Sequence, residues 1–348
     1  MKKIFALLTI AAAMTACVND DKYTWNDDFA DLTDTDTISI GINWNGSTVT
    51  ITGDNAGYVT ANGADVTVSS NTNRFLNLQL SGTSTDGSLL IYSWRKLGIT
   101  LNGLQLTNAD GPAINNQCSK WLYVTLADGT ENSLTDGEEY AEQTFDQKGT
   151  LFSEGQICFQ GGGALTVTGN AKNAIASDDF IEINGGTLTI SAKADGGRGI
   201  KVNDGLTING GSTTITTSGD CRIETVDGVR DTTSAAGIKS DSIFVMTGGT
   251  LSITSTGDGG KGINCSGDVT FSGGELVITT TGSNDEGKPK GVKSDTAIIV
   301  SGGSFTVNVS KSWACDNGTD SEEPADHVTI VGRPQKQTLK KKSVVIQF

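Results

Sequence analysis

The chain repeats one short pattern about every 25 residues, and this repeat constrains its fold more than any other feature. In each copy an apolar alternation ends in a Gly-Gly pair and a second alternation follows, at residues 181–190, 206–215, 244–253, 269–278 and 298–307. A small residue before a β-branched one keeps the same register, at residues 174–175, 199–200, 237–238, 262–263 and 291–292. One copy cannot bury its apolar side chains but a stack of copies can, so the repeat indicates a solenoid.

Each copy holds about three short alternating runs that are separated by glycine-rich turns. Val, Ile and Thr are frequent and apolar residues do not recur with a helical period, so we predict an all-β fold. Three strands per turn predict a parallel β-helix of about eight or nine coils. The longer interval between residues 200 and 238 predicts an insertion between Ile215 and Gly237.

The first 37 residues are expected to lie outside this fold. Residues 1–17 have the pattern of a bacterial lipoprotein signal peptide, with a basic start, a short apolar stretch and Cys17 as the lipidation site. An ordinary signal peptide is the alternative. Residues 18–37 are rich in aspartate and predict an acidic flexible tether. We therefore expect a lipid-anchored protein of the bacterial outer membrane at the cell surface, or one that faces the periplasm.

Residues 38–348 are predicted to form one parallel β-helix domain with both ends closed. The ends of a stack expose apolar edges unless other chain segments cover them. We expect residues 38–80 to form an N-terminal β cap and residues 308–348 a short C-terminal cap, in which residues 343–348 return as a strand.

The charge and the cysteines exclude some classes of partner and site. The formal net charge of −15 argues against nucleic acid as a partner and suits a cation or a neutral ligand. A structural zinc site is not expected, because no CxxC spacing occurs and His327 is the one histidine. The sequence assigns no disulfide pairing among its other cysteines, Cys118, Cys158, Cys221, Cys265 and Cys315.

Strand alternation predicts a row of polar side chains on the outer face. The residue after each apolar marker points outward, so stacking aligns Lys201, Lys239, Asn264 and Lys293. Carboxylates suit calcium, and those in the same strands or the preceding turns are its predicted ligands: Asp178, Asp195, Asp241, Asp258 and Asp295. The alternative is that these aspartates are solvated turn residues or partners of the lysines.

Three stretches carry a resemblance to a known family. They are "LSGTSTDGSLLIYSWRKLGITLNGLQLTNADGPAINNQ", "VTLADGTENSLTDG" and "KGTLFSEGQICFQGGGALTVTG", with the "GIKSD…GGTLSI" copies behind them. The chain resembles bacterial carbohydrate-binding domain-containing β-helix proteins, which are similar in fold to pectate lyases, from about residue 38 to its C-terminus. The resemblance implies a right-handed β-helix, bound calcium, and binding of plant cell-wall polysaccharide that includes acidic polymers.

We therefore expect a monomeric surface lipoprotein that binds polysaccharide, such as polygalacturonate or cellulose, along a calcium-binding β-helix. The row Lys201, Lys239, Asn264 and Lys293 is the predicted carbohydrate contact. No catalytic residue is predicted, because His327 stands alone and because no lysine differs from its neighbours in the row.

Two alternatives remain open. One is a calcium-dependent polyuronate lyase that acts by β-elimination, with Lys201, Lys239 or Lys293 as the base. The other is an adhesin or a structural surface protein. We expect Trp94, Trp121 and Trp313 to pack within the protein rather than to stack on a sugar.

Overall fold

The computed structural model describes residues 37–283 and 287–348. The predicted signal peptide, Cys17 and nearly all of the predicted tether lie outside the described residues. Within them the protein is all-β, apart from one short 3-10 helix, Pro324–His327. No helix in this part of the chain is long and apolar enough to cross a membrane. The first described strand begins at Thr37, which is also the first described residue.

The strands form two large sheets of 21 and 11 strands and a separate two-stranded hairpin. We call the 11-stranded sheet the first column. It consists of β3 (Val59–Asn62), β4 (Asp65–Ser70), β6 (Ser88–Ser93), β8 (Ile114–Asn116), β11 (Gly149–Ser153), β14 (Asn173–Ser177), β17 (Arg198–Val202), β22 (Ala236–Ser240), β25 (Lys261–Cys265), β28 (Lys290–Ser294) and β31 (Cys315–Asp316).

The larger sheet has two parts. The second column consists of β1 (Thr37–Asn45), β5 (Phe75–Ser84), β7 (Leu97–Thr107), β9 (Leu122–Leu126), β12 (Ile157–Gly161), β15 (Phe180–Ile183), β18 (Gly205–Ile208), β23 (Ile243–Met246), β26 (Val269–Phe271), β29 (Ile298–Val300) and β32 (Thr329–Ile330). The third column consists of β10 (Glu131–Thr135), β13 (Ala164–Gly169), β16 (Thr187–Ala192), β19 (Ser212–Thr217), β24 (Thr250–Ser255), β27 (Glu275–Thr280) and β30 (Ser304–Val309). Strand β7 is long enough to pair in both columns.

The chain passes through the three columns in a fixed order. Strands β14, β15 and β16 follow one another, and they pair in parallel with β17, β18 and β19 in turn. Ile175 lies beside Ile200, and Ile190 lies beside Ile215. The repeat spacing is therefore the spacing between neighbours in a sheet.

The apolar markers form an inward row in the first column. Register places five side chains in line, and each is 0% exposed: Ile175, Ile200, Ile238, Ile263 and Val292. Burying an aliphatic side chain of this size contributes about 1.5–3 kcal/mol relative to leaving it in water. The predicted inward positions are confirmed, and they hold the outward positions in fixed register.

The Gly-Gly pairs lie at the corners that precede the third column. The second glycine of each pair has a left-handed backbone, for example Gly211 with φ 73° and Gly249 with φ 73°. A Cβ at Gly249 would also lie 2.7 Å from the carbonyl oxygen of Gly210. Both observations explain why glycine recurs there.

The predicted insertion is a hairpin of β20 (Arg222–Val226) and β21 (Val229–Thr233), which pair antiparallel. It leaves the stack between β19 and β22, within the predicted interval. At the start of the described chain, β2 (Thr48–Thr52) pairs antiparallel with β1. At its end, β33 (Lys336–Lys340) and β34 (Ser343–Gln347) form a hairpin whose second strand pairs antiparallel with β30. The predicted return strand is thus β34. No disulfide joins the cysteines of the described residues, all of which are buried.

Candidate functional site

A row of polar side chains crosses the outer face of the first column. Parallel pairing puts four predicted residues in one register, in the order Lys201, Lys239, Asn264 and Lys293. All four are partly exposed. Because adjacent strands lie about 4.8 Å apart, the row offers one polar group at every step along the stack. Asp316 continues the row beside Lys293.

Two lysines of this row share one carboxylate. Asp241 Oδ1 accepts a charge-assisted contact of 2.8 Å from Lys239 Nζ, and its Oδ2 contacts Lys201. Partial burial opposes ionisation of Asp241, but the two ammonium groups outweigh it and hold its pKa below the ordinary value. Lys293 pairs in the same way with Asp295. Because two ammonium groups share one carboxylate, the part of the row at Lys201 and Lys239 keeps a net positive charge.

A second basic row lies at the N-terminal ends of the same strands. Arg198, Lys261 and Lys290 share one register position, which Ala236 interrupts. Burial lowers the pKa of Lys261 to about 8, and nearby lysines add to the effect. Lys261 is 8% exposed and Lys290 pairs with Asp316, so this row adds positive charge near the strands but few accessible contacts.

The polar row is accessible to solvent only from β17 onward, and the same register position is covered on β14 and the strands before it. The preceding residues of the same register, Phe152 and Ala176, are buried although they lie on the outer face. Lys148 Nζ lies 5.3 Å from the centroid of the Phe152 ring. The side-chain amide of Asn115 donates to the carbonyl of Asp146 at 3.0 Å. The segment 136–148 thus covers this part of the face, and the accessible row begins at Lys201.

One group of carboxylates can hold a metal ion. Asp146, Glu154 and Asp178 each offer an oxygen, and these atoms lie within 4.8 Å of one another. Lys148 Nζ lies 2.5 Å from Asp146 Oδ2 and also contacts Asp178. Burial raises the pKa of Glu154, and repulsion from Asp178 adds to it. Three carboxylates fit a hard cation such as calcium, provided that the amine of Lys148 moves aside.

Asp178 is the one predicted calcium ligand that joins this group. In the described residues, the other four belong to no set of three possible ligands: Asp195, Asp241, Asp258 and Asp295. Asp195 Oδ1 accepts from the backbone N–H of Asp220 at 2.9 Å, and Asp258 Oδ1 accepts from that of Ser283 at 2.8 Å. These two side chains thus link successive copies of the repeat, whereas Asp241 and Asp295 face lysines.

A carboxyl pair that the sequence analysis missed lies at the corner between the first and second columns. Burial raises the pKa of Asp179 to about 6, and the neighbouring carboxylate of Asp204 adds to the shift. Gln156 Nε2 donates to Asp179. This pair could have been predicted from the sequence, because both aspartates stand four residues after the apolar marker in consecutive copies of the repeat.

Of the three tryptophans predicted to pack within the protein, Trp121 and Trp313 do so, and the prediction is wrong for Trp94. Trp121 stacks on Tyr123, with ring centroids 5.9 Å apart. Trp313 lies 4.2 Å from the ring of His327. Trp94 is the most exposed of the three at 57%, and its indole N–H donates to the carbonyl of Thr72 at 2.8 Å.

The lysines of the polar row are held in ion pairs. Lys201, Lys239 and Lys293 each contact an aspartate. An ion pair needs the charged ammonium, whereas a general base must be unprotonated. The geometry therefore suits electrostatic contact with a ligand better than proton abstraction.

Comparisons with known proteins agree with a carbohydrate-related assignment. A sequence model of the family described as "Carbohydrate-binding domain-containing protein" matches residues 62–323. A protein of Acetivibrio thermocellus with the same description is 33% identical over 117 residues, which is 32% of this chain and 41% of the relative. The match therefore spans about two fifths of the relative's length. The solved structure of the polysaccharide lyase-like protein from C. thermocellum, as a gadolinium derivative, is similar with a TM-score of 0.51 and 22% identity. That likeness covers 85% of this chain and 96% of the other, and it concerns the fold.

Proposed function

Because the chain belongs to the family of carbohydrate-binding domain-containing proteins, we propose that it binds polysaccharide along the outer face of the first column. The observation that carries the proposal is the register of Lys201, Lys239, Asn264 and Lys293. A linear polymer presents the same groups at every sugar, and this face presents a polar group at every strand. Repeated weak contacts along one chain add up to useful affinity.

An acidic polymer of the plant cell wall, such as polygalacturonate, is the proposed ligand class. The excess of lysine over aspartate where Lys201 and Lys239 share Asp241 supports this choice, because it leaves accessible positive charge in the row. A neutral polymer such as cellulose would use hydrogen bonds to Asn264 and to the lysines but would gain nothing from their charge. Salt should therefore weaken binding of the acidic polymer more than binding of the neutral one.

The fold that we propose is a right-handed parallel β-helix. Its support is the fixed order of the three columns, the parallel register at each of them, and the likeness to the polysaccharide lyase-like structure. In such a fold the row is straight, and it runs along the axis of the stack.

The proposed cofactor is calcium, with Asp146, Glu154 and Asp178 as its ligands. A doubly charged ion supplies a bridge between protein carboxylates and the carboxylates of an acidic polymer. The group lies where segment 136–148 covers the outer face, next to the end of the accessible row. The remaining predicted ligands are already engaged by backbone N–H groups or by lysines.

We further propose that Cys17 carries lipid and holds the protein at the cell surface, with the acidic residues 18–37 as a tether. The support is the sequence pattern alone. Substituting Cys17 with Ala should move the protein from the detergent phase to the aqueous phase in a detergent partition experiment. Retention of the variant in the detergent phase would contradict a lipid at this residue.

The test of the binding proposal is retention of the full-length protein on polygalacturonate and on cellulose, with calcium and with chelator. Unsaturated product is assayed in the same tubes. The triple variant K201A/K239A/K293A should lose about tenfold or more in affinity for polygalacturonate. The matched control K193A/K336A/K340A removes three exposed lysines elsewhere and should bind like the wild type.

Each outcome decides between functions. Retention without product supports a binding protein, and product formation would make the protein a polyuronate lyase. Equal loss in both triple variants would show that the face is not the site. Failure of the wild type to bind any polysaccharide would favour an adhesin or a structural protein.

A further inference from the structure

A cavity of about 500 Å³ lies at the C-terminal end of the polar row. Its walls come from residues 288–290, 311–313, 316, 319–322, 327 and 341. Asp316 lines the cavity and also stands beside Lys293 in register, so the row runs directly into it. Small-molecule sites in proteins have volumes of roughly 300–1,000 Å³. The cavity is therefore large enough for one or two sugar rings.

The cavity wall has four lysines and three carboxylates, including the exposed Asp320, so it carries an excess of one positive charge. Lys290 pairs with Asp316, and Lys341 Nζ lies 2.9 Å from Glu322 Oε2. In the part of the chain that the structure describes, Lys288 and Lys311 have no carboxylate within ion-pair distance, and both are exposed at the rim. An anionic ligand can contact these two ammonium groups without breaking an existing pair.

The cavity wall also has a buried imidazole nitrogen that lacks a hydrogen-bond partner. His327 is 1% exposed, and its Nε2 lies 2.9 Å from the carbonyl of Ser321. A carbonyl only accepts, so Nε2 carries a proton and Nδ1 is the nitrogen that still needs a partner. Nδ1 is buried with no hydrogen-bond partner in the described residues, and Asp316 Oδ1 is 3.9 Å away. A buried polar atom without a partner is costly, and a ligand hydroxyl can supply one because it both donates and accepts.

We propose that this cavity binds the terminal residue of an acidic polysaccharide, a hexuronate. Its carboxylate contacts Lys288 and Lys311, and one of its hydroxyls forms a hydrogen bond with Nδ1 of His327. A sugar acid provides both the anionic group for the two lysines and the hydroxyl for the imidazole nitrogen. The rest of the polymer follows the row back over Lys293 towards Lys201. This inference rests on the proposed function and adds recognition of a chain end.

Calorimetric titration of the full-length protein with galacturonate and with trigalacturonate tests the inference, with galactose as the uncharged control. Galacturonate should bind and galactose should bind at least about tenfold more weakly, because galactose lacks the carboxylate. The double variant K288A/K311A should weaken galacturonate binding about tenfold. The matched control K336A/K340A removes two exposed lysines outside the cavity and should not change it.

His327→Gln is the second arm, because a glutamine amide retains a donor for the Ser321 carbonyl but places no nitrogen at the Nδ1 position. It should weaken galacturonate and galactose by the same factor of about three to ten, as loss of one hydrogen bond does. Polymer retention without galacturonate binding would overturn the inference and leave the proposed function standing. Galacturonate binding that K288A/K311A leaves unchanged would also overturn it. If neither polymer nor monosaccharide binds, the proposed function itself fails.

Discussion

Asp241 joins Lys201 and Lys239, which stand on neighbouring strands of the first column. The two lysines would repel each other at the spacing of adjacent strands, and the carboxylate between them compensates one of their two charges. The arrangement holds the polar row in place and still leaves an excess of positive charge. The structural ion pairs and the proposed binding surface thus involve the same three side chains.

Replacing Asp241 with Asn should strengthen polygalacturonate binding, because the variant removes the one negative charge between the two lysines. The side chain is 44% exposed, so the loss of stability should stay below about 1 kcal/mol. The control E275Q removes an exposed carboxylate from the third column and should change neither property. Weaker retention of D241N on the polymer would show that Asp241 itself contacts the ligand.

The pH dependence of this pair follows from the direction of the pKa shift. The folded pKa of Asp241 is lowered, so its contribution to stability is present above the ordinary range of aspartate. It is lost as the pH falls below about 4. Urea unfolding should show a larger difference between wild type and D241N at pH 7 than at pH 3.

The repeat made the inward row and the outward row predictable from sequence. Ile200 and Lys201 are one residue apart, so the alternation of a strand places them on opposite faces, and the 25-residue period names their neighbours. The carboxylates near Lys148 were not predictable as a group, because segment 136–148 lies outside the repeat. The C-terminal cavity was not predictable for the same reason, since residues 311–327 have no counterpart in other copies. Regular spacing in the sequence is enough to predict which residues are neighbours in a sheet. The contacts of irregular segments cannot be predicted in this way, because no repeat relates them to the rest of the chain.

Truncating a side chain of the inward row should destabilise the stack. Ile238 is 0% exposed and lies between Ile200 and Ile263 in register. Ile238→Ala should lower the free energy of unfolding by about 2–5 kcal/mol, because the cavity adds to the lost transfer energy. Val229→Ala in the hairpin removes a side chain that is 69% exposed and should have an effect near zero. Similar urea midpoints for the two variants would contradict the assignment of Ile238 to the core.

Lys261 should destabilise the protein at neutral pH. Its side chain is buried, and the pKa falls from 10.5 to about 8 in the folded state. The unfolded chain therefore binds the proton more tightly, and stability rises with pH between those two values. Lys261→Met should stabilise the protein at pH 7 by a free energy of the order of 2 kcal/mol.

The gain from Lys261→Met should shrink as the pH rises towards 10, because the lysine of the folded wild type is then neutral and the free-energy cost of deprotonating it falls as the pH approaches 10.5. Lys193→Met, at an exposed position, is the control and should give no gain at either pH. Thermal unfolding of the three proteins at pH 7 and pH 10 measures both effects. A gain that does not depend on pH would mean that packing, not charge, is the cause.

Calcium should compete with Lys148 for the carboxylates of Asp146, Glu154 and Asp178. In chelator, Lys148→Met should be less stable than the wild type, because three carboxylates within 4.8 Å then repel one another. Calcium should raise the unfolding temperature of K148M more than that of the wild type, since no amine has to be displaced. At a concentration of 100 times the dissociation constant the stabilisation should be about 2.7 kcal/mol. Glu154→Gln should reduce this response and E275Q should not. The absence of any calcium response in both the wild type and K148M would refute the calcium site.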